Sequence, residues 1–117
     1  HFVACAMPLG AHVAALGMRF YIANIKSKKA FPAVYNNRIF ICEHGSWNRS
    51  KKSGYRISSV TLKDGKADRY EVFMDGFLNG EEPWGRPVDL CLMDDGSMLV
   101  SDDFAGAVYR VSYEGLN

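Results

Sequence analysis

The feature that most constrains this chain is its punctuation. Short runs of β-forming residues alternate with clusters of Gly, Asp, Asn and Pro, and no window sustains a 3.6-residue apolar period. A chain of this kind buries its apolar side chains in sheets, so the fold class read from the sequence is all-β. The runs predict strands over residues 13–23, 38–43, 55–62, 70–74, 87–93, 98–101 and 107–113. Two Asp-Gly turns, Lys63-Asp64-Gly65-Lys66 and Asp94-Asp95-Gly96-Ser97, supply the positive φ that hairpins require, and each should join antiparallel neighbours.

Within these runs the side-chain pattern carries more detail. Residues 107–113 alternate, with Val108, Arg110 and Ser112 on one face and Tyr109, Val111 and Tyr113 on the other, which should be the buried face. The run Ile39-Phe40-Ile41-Cys42 is apolar on both faces, as in an inner propeller strand covered on both sides. In residues 55–62 the apolar phase slips at Ser58-Ser59, where a β-bulge is expected. Residues 26–37, with Lys28, Lys29 and Pro32, and residues 46–54, with Arg49, Lys51 and Lys52, read as surface loops.

Composition narrows the function classes. The 117 residues, 48% hydrophobic and 13% aromatic, suffice for one small domain with a core. A net charge of +1, from 14 basic and 13 acidic residues, leaves no electrostatic footprint for nucleic acid or an anionic membrane surface. A neutral or small-molecule partner is expected. No run reaches the roughly 20 apolar residues of a membrane helix. The apolar stretch 2–18 resembles a signal-peptide core but lacks an initiating Met and a basic flank, and Pro8, Gly10 and His12 interrupt it, so it is expected to be folded protein. A first residue His1 in place of Met suggests an upstream or trimmed N-terminus. Cys5, Cys42 and Cys91 show no CxxC spacing and are expected to be buried, reduced thiols, with neither a disulfide framework nor a zinc site.

A coarse repeat of apolar strand, loop, strand, Asp-Gly turn and strand occurs once before Gly76 and again after Gly85, which suggests propeller blades. The seven predicted strands fall one short of the roughly eight in two four-stranded blades. The expectation is a single partial β-propeller domain over 1–117, with residues 1–80 as a first blade plus a preceding edge strand and 81–117 as a second, incomplete blade.

Three blocks carry a family resemblance: Leu9-Gly-Ala-His-Val-Ala-Ala-Leu-Gly-Met18; Ile39-Phe-Ile-Cys-Glu-His-Gly-Ser-Trp-Asn-Arg49; and Trp84-Gly-Arg-Pro-Val-Asp89 with Ser101-Asp-Asp-Phe-Ala-Gly-Ala-Val-Tyr-Arg110. They resemble the C-terminal signature of the glucose/sorbosone dehydrogenases, in an order and spacing similar to the sorbosone-dehydrogenase branch, over nearly the whole chain. The resemblance implies about two four-stranded antiparallel blades of a six-bladed β-propeller that binds pyrroloquinoline quinone (PQQ), helped by calcium, in a cup on its top face where an aldose is oxidised. Members of that family are usually periplasmic or secreted. Their catalytic base and calcium ligands come from blades that match nothing here, so no catalytic residue and no metal ligand is assigned. The expected function is that of a fragment related to a quinoprotein oxidoreductase acting on aldose or sorbosone-type sugars, inactive alone. The alternatives are a self-assembling binding or scaffold module without redox activity, and a degraded gene product.

The resemblance singles out Arg86, which matches an arginine that contacts the cofactor in the family. A guanidinium can grip a carboxylate or quinone oxygen bidentately. Many relatives carry a second arginine where this chain has Val88. The structural alternative is that Arg86 only pairs with a nearby carboxylate such as Asp89. His44 and Trp47 lie in a Gly-containing loop after an apolar strand, where a propeller displays groups into its cup, and His12 opens the first predicted strand. A histidine can accept a proton, and a tryptophan face can stack on a sugar or flat cofactor. Trp84, before Gly85, is comparably placed; its alternative is a core plug between blades. Asp94, Asp95, Asp102 and Asp103 match no calcium loop, and turn chemistry and strand-end capping account for them. Asn48-Arg49-Ser50 is formally a glycosylation sequon.

A closed homotrimer is expected, rebuilding six blades from three two-blade units. Residues 2–6 would pair with residues 107–113 of the next subunit to close the ring.

Overall fold

The computed structural model describes residues 2–115. An antiparallel sheet in the order β1-β2-β3-β4 is built from β1 (Ala15–Phe20), β2 (Ile39–Glu43), β3 (Arg56–Lys63) and β4 (Lys66–Met74). A short hairpin follows, β5 (Leu78–Asn79) with β6 (Glu82–Pro83). A second antiparallel sheet holds β7 (Pro87–Leu92), β8 (Met98–Asp102) and β9 (Ala107–Val111), in that order. The only helical element among the described residues is a 3-10 turn, Ala33–Tyr35, in the loop before β2. No helix among them is long and apolar enough to cross a membrane.

Every predicted strand has a counterpart, and the differences have local causes. β4 starts at Lys66, four residues before the expected start, because the Asp64-Gly65 turn has two residues and pairs Lys63 directly with Lys66. Asp64 (φ 51°) and Gly65 (φ 73°) both lie in the left-handed region, as a type I′ turn demands. The hairpin β5–β6 was not anticipated, since two-residue strands are too short to show a period.

The expected bulge at Ser58-Ser59 is displaced onto the neighbouring strand. β3 pairs residue for residue with β2 through this stretch. The register shifts lie in the β3–β4 ladder, where Ile57 opposes Met74 and Ser58 opposes Val72, leaving Phe73 as the extra residue on β4. The slip in apolar phase has another source, because both serines are buried with polar partners. Ser58 Oγ donates to Glu43 Oε1 at 2.8 Å, and Ser59 Oγ accepts from Arg38 Nη1 at 3.4 Å.

The core lies between the two sheets, where β1 and β2 pack against β7. It is formed by Tyr21, Phe31, Phe40, Cys42, Tyr55, Ile57, Phe77, Leu90, Met98 and Val100. Tyr21 ties it together: its ring stacks on Phe31 with centroids 4.7 Å apart, and its hydroxyl donates to Gly96 O at 2.7 Å while accepting from Phe31 N at 2.7 Å. Close approach of the sheets depends on Gly17, where a Cβ would stand 2.7 Å from Asp89 Cα.

The cysteines divide. Cys42 is buried as expected, and burial pushes its thiol up to about 12. Cys5 and Cys91 are exposed, against expectation. Cys5 precedes the first strand, and Cys91 occupies the face of β7 opposite Leu90, which is the residue that enters the core. An apolar neighbourhood in sequence does not fix which face of a strand a residue takes.

Of the 107–113 run, Tyr109 and Val111 pack against the core while Val108 is exposed, in the expected alternation; Tyr113, past the strand end, is exposed. β9 is an edge strand, and Phe2 and Val3 are fully exposed outside any strand.

Candidate functional site

The strand registers bring four segments to one end of the sheets. Ala15 pairs with Glu43 and Glu43 with Arg56, so the loops at 10–14 and 44–55 meet there. Pro87 pairs with Asp102 and Asp102 with Ala107, which brings up 84–86 and 103–106. Backbone strain concentrates at this end: His12 (φ 61°), Ala14 (φ 52°) and Tyr55 (φ 58°) all take left-handed conformations that non-glycine residues seldom adopt.

Interlocking hydrogen bonds hold these loops. His44 N donates to Ala14 O and Gly45 N to Val13 O, both at 2.9 Å, and Ser46 N donates to Ser53 O at 2.9 Å. The Tyr55 hydroxyl donates to Ser46 O. Gly45 (φ 99°) sits against the Tyr55 ring, which a Cβ would overlap.

Arg86 fastens this assembly to the second sheet. Its Nε donates to His44 O at 3.0 Å, its Nη2 donates to Gly45 O, and its guanidinium carbon lies 5.3 Å from the Tyr55 ring centroid. The suggested pairing with Asp89 does not occur. That carboxylate accepts from Leu90 N at 2.8 Å and stands 4.0 Å from Arg19 Nη2. The Arg86 Nη1 group has no hydrogen-bond partner among the described residues.

The two adjacent aspartates at the end of β8 have different tasks. Asp102 caps the strand end: Oδ1 accepts from Arg86 N at 3.0 Å and Ala105 N at 2.9 Å, and Oδ2 accepts from the Tyr109 hydroxyl at 3.0 Å. Asp103 instead reaches across to the first sheet, where its Oδ1 lies 2.8 Å from His44 Nε2. The His44 hydrogen bond is the main influence holding the Asp103 carboxyl below its ordinary range, with the Arg86 charge adding to it.

His12 and Trp47 line a recess of about 410 Å³, together with Ala14, Gly45, Ser46 and Arg49. The Trp47 side chain is 84% exposed there. Arg49 Nη1 is held by Ala11 O and Ser53 Oγ, each at 3.3 Å. The structure thus joins His44 to Arg86 and His12 to Trp47, with Gly45 common to both groups. Trp84 stands apart, 67% exposed, with its backbone N donating to Phe77 O at 2.7 Å; in this chain it does not plug the core. Tyr55 and the distinct role of Asp103 escaped the sequence reading. Neither a tyrosine ahead of a strand nor the second residue of an Asp-Asp pair carries a signal for its partner.

Among the described residues no three His, Cys, Asp or Glu side chains converge as a metal would require. Residues 1–114 match the family model described as TrAA12-like. The chain belongs to the TrAA12-like family. This TrAA12-like chain is 45% identical over 116 residues to an uncharacterized protein of Borreliella burgdorferi, covering 97% of the chain and 29% of that protein, so it spans less than a third of the curated relative. An iodide structure of the Trichoderma reesei carbohydrate-active enzyme of family AA12 shares the fold, with a TM-score of 0.67 at 22% identity, over 86% of this chain and 25% of that one. A calcium structure from the same source gives 0.65 at 21% identity, over 86% and 24%. The holo PQQ domain of pyranose dehydrogenase from Coprinopsis cinerea gives 0.57 at 23% identity, over 87% and 27%. The TrAA12-like chain therefore shares the antiparallel-sheet fold of these structures.

Proposed function

We propose that this TrAA12-like chain forms part of a quinoprotein oxidoreductase. In this reading it supplies about two blades of a six-bladed propeller, 1–80 and 81–117, whose loop-bearing end lines a cup for PQQ and an aldose or sorbosone-type sugar. The observation that carries the reading is the convergence of Arg86 and His44, from different sheets, beside the recess of His12 and Trp47.

The donor set suits a flat, polyanionic quinone. Arg86 retains the Nη1 group for a carboxylate or quinone oxygen, the open Trp47 ring offers a stacking face, and His44 and His12 offer polar contacts. Trp84, exposed on the segment that leads into Arg86, would offer a second aromatic face at the rim of the cup. When bound, PQQ supplies two-electron acceptance; this chain's residues bind and orient. Calcium does not fit, because no carboxylate cluster converges among the described residues, and its ligands would come from other blades. With Val88 in place of a second arginine, the anion grip rests on Arg86. This segment alone should not turn over an aldose with a dye acceptor. Calorimetry with PQQ tests the binding role: Arg86→Ala should weaken binding by about 1.5–3 kcal/mol, the worth of a charge-assisted hydrogen bond, and unchanged affinity would remove Arg86 from the site.

A second reading, self-assembly into a homotrimeric ring, is favoured by the open edge of β9 in a three-stranded sheet and by the exposed Phe2 and Val3. Light scattering with and without residues 1–6 tests it. A monomer, or a trimer indifferent to the deletion, rules it out.

A further inference from the structure

We propose that Asp103 is the positioning residue of His44, fixing across the seam between the two sheets which ring nitrogen is left to meet a ligand. The inference rests on the reading of His44 as a site residue and adds to it a residue from the other sheet. His44 extends from the end of β2 and Asp103 from the end of β8, and the 2.8 Å contact between Nε2 and Oδ1 joins them. An ionised carboxylate only accepts hydrogen bonds, so Nε2 must carry the proton. A neutral ring then has its lone pair on Nδ1. That nitrogen has no hydrogen-bond partner, and no side-chain nitrogen or oxygen is both buried and unpartnered among the described residues, so Nδ1 meets solvent-accessible space.

The ring has little freedom to do otherwise. Its side chain is only 17% exposed, its backbone N is bonded to Ala14 O, and its backbone carbonyl is held by Arg86. The same Arg86 charge favours the ionised, accepting form of Asp103. The arrangement presents a hydrogen-bond acceptor to a ligand of the hydroxyl-bearing class, such as a sugar or a reduced quinone, with Asp103 acting through the ring and not on the ligand.

Selective nitrogen-15 labelling of histidine in the intact protein tests this, with His44→Gln assigning the resonance. In the wild-type protein at neutral ring charge, two-bond nitrogen–proton correlations should show His44 as the Nε2–H form, with that proton protected from exchange. Asp103→Ala should introduce a share of the Nδ1–H form and expose the Nε2 proton to rapid exchange, and Asp103→Glu should restore protection at least in part. A tautomer and exchange rate unmoved by Asp103→Ala, in a variant whose other amide resonances are unchanged, would overturn the inference. PQQ titrations of the same samples separate the two layers: if the tautomer responds to Asp103→Ala but neither His44→Gln nor Arg86→Ala alters PQQ affinity, the positioning stands and the ligand reading falls.

Discussion

Glu43, fully buried at the end of β2, accepts hydrogen bonds from Arg56 Nε at 2.7 Å and Ser58 Oγ at 2.8 Å, and from the Tyr70 hydroxyl. One carboxylate thereby links β2, β3 and β4 just beneath the loop that carries His44. Such a charge is tolerable inside the sheet because every neighbour donates to it.

Removing that carboxylate leaves Arg56 without its counter-charge and two hydroxyls without an acceptor. Glu43→Ala should therefore destabilise the fold by about 3–5 kcal/mol, the usual cost of breaking a buried pair from one side. Glu43→Gln, which retains an acceptor oxygen, should cost less. Urea midpoints of the three proteins check both the size and the order.

The same cluster sets an alkaline limit. Burial, and then the Glu43 carboxylate, raise the Tyr70 hydroxyl above its ordinary value of 10.0. A raised folded-state value means that the native state holds its proton more tightly than the unfolded chain. The stabilisation is complete below pH 10, and declines as pH rises from there through the folded value. Tyr70→Phe should flatten this decline relative to wild type. Denaturant midpoints between neutral pH and pH 11 measure it, and identical slopes in the two proteins would exclude the mechanism.

Much of the fold was legible because period-2 runs and Asp-Gly turns act locally. The Asp64-Gly65 pair sets its hairpin by φ alone, and the alternation of Tyr109 and Val111 reveals the buried face of β9. What depends on partners distant in sequence was not legible. Ser58 and Ser59 look like a break in the apolar pattern until Glu43 and Arg38 are brought beside them by strand pairing. Asp103 looks like a second cap until the sheets meet, and Arg86 reads in sequence as a ligand grip or a partner of Asp89 but holds two carbonyls of another loop in space.

The thiols offer a simple check of which strand faces are covered. Cys42, fully buried with its thiol pushed up to about 12, should resist a water-soluble disulfide reagent at pH 8, whereas exposed Cys5 and Cys91 should react at once. Two equivalents should titrate in the native 117-residue chain and a third only after denaturation. Three fast equivalents would place Cys42 outside the core.

Arg86 should matter to the fold as well as to any ligand. Its guanidinium bonds the His44 and Gly45 carbonyls and lies against the Tyr55 ring, holding a left-handed glycine turn to the second sheet. A lysine cannot reproduce this, because a single ammonium lacks the planar fork that serves two acceptors while stacking on an aromatic face. Arg86→Lys should therefore resemble Arg86→Ala more than wild type, each losing about 1.5–3 kcal/mol by analogy with other hydrogen bonds to charged groups. Amide exchange localises the effect: the amides of His44, Gly45 and Ser46 should lose protection in both variants, while those in the centre of β3 should change only by the overall loss of stability. Restoration of wild-type protection at Gly45 by lysine would mean that charge alone, and not the fork, holds the turn.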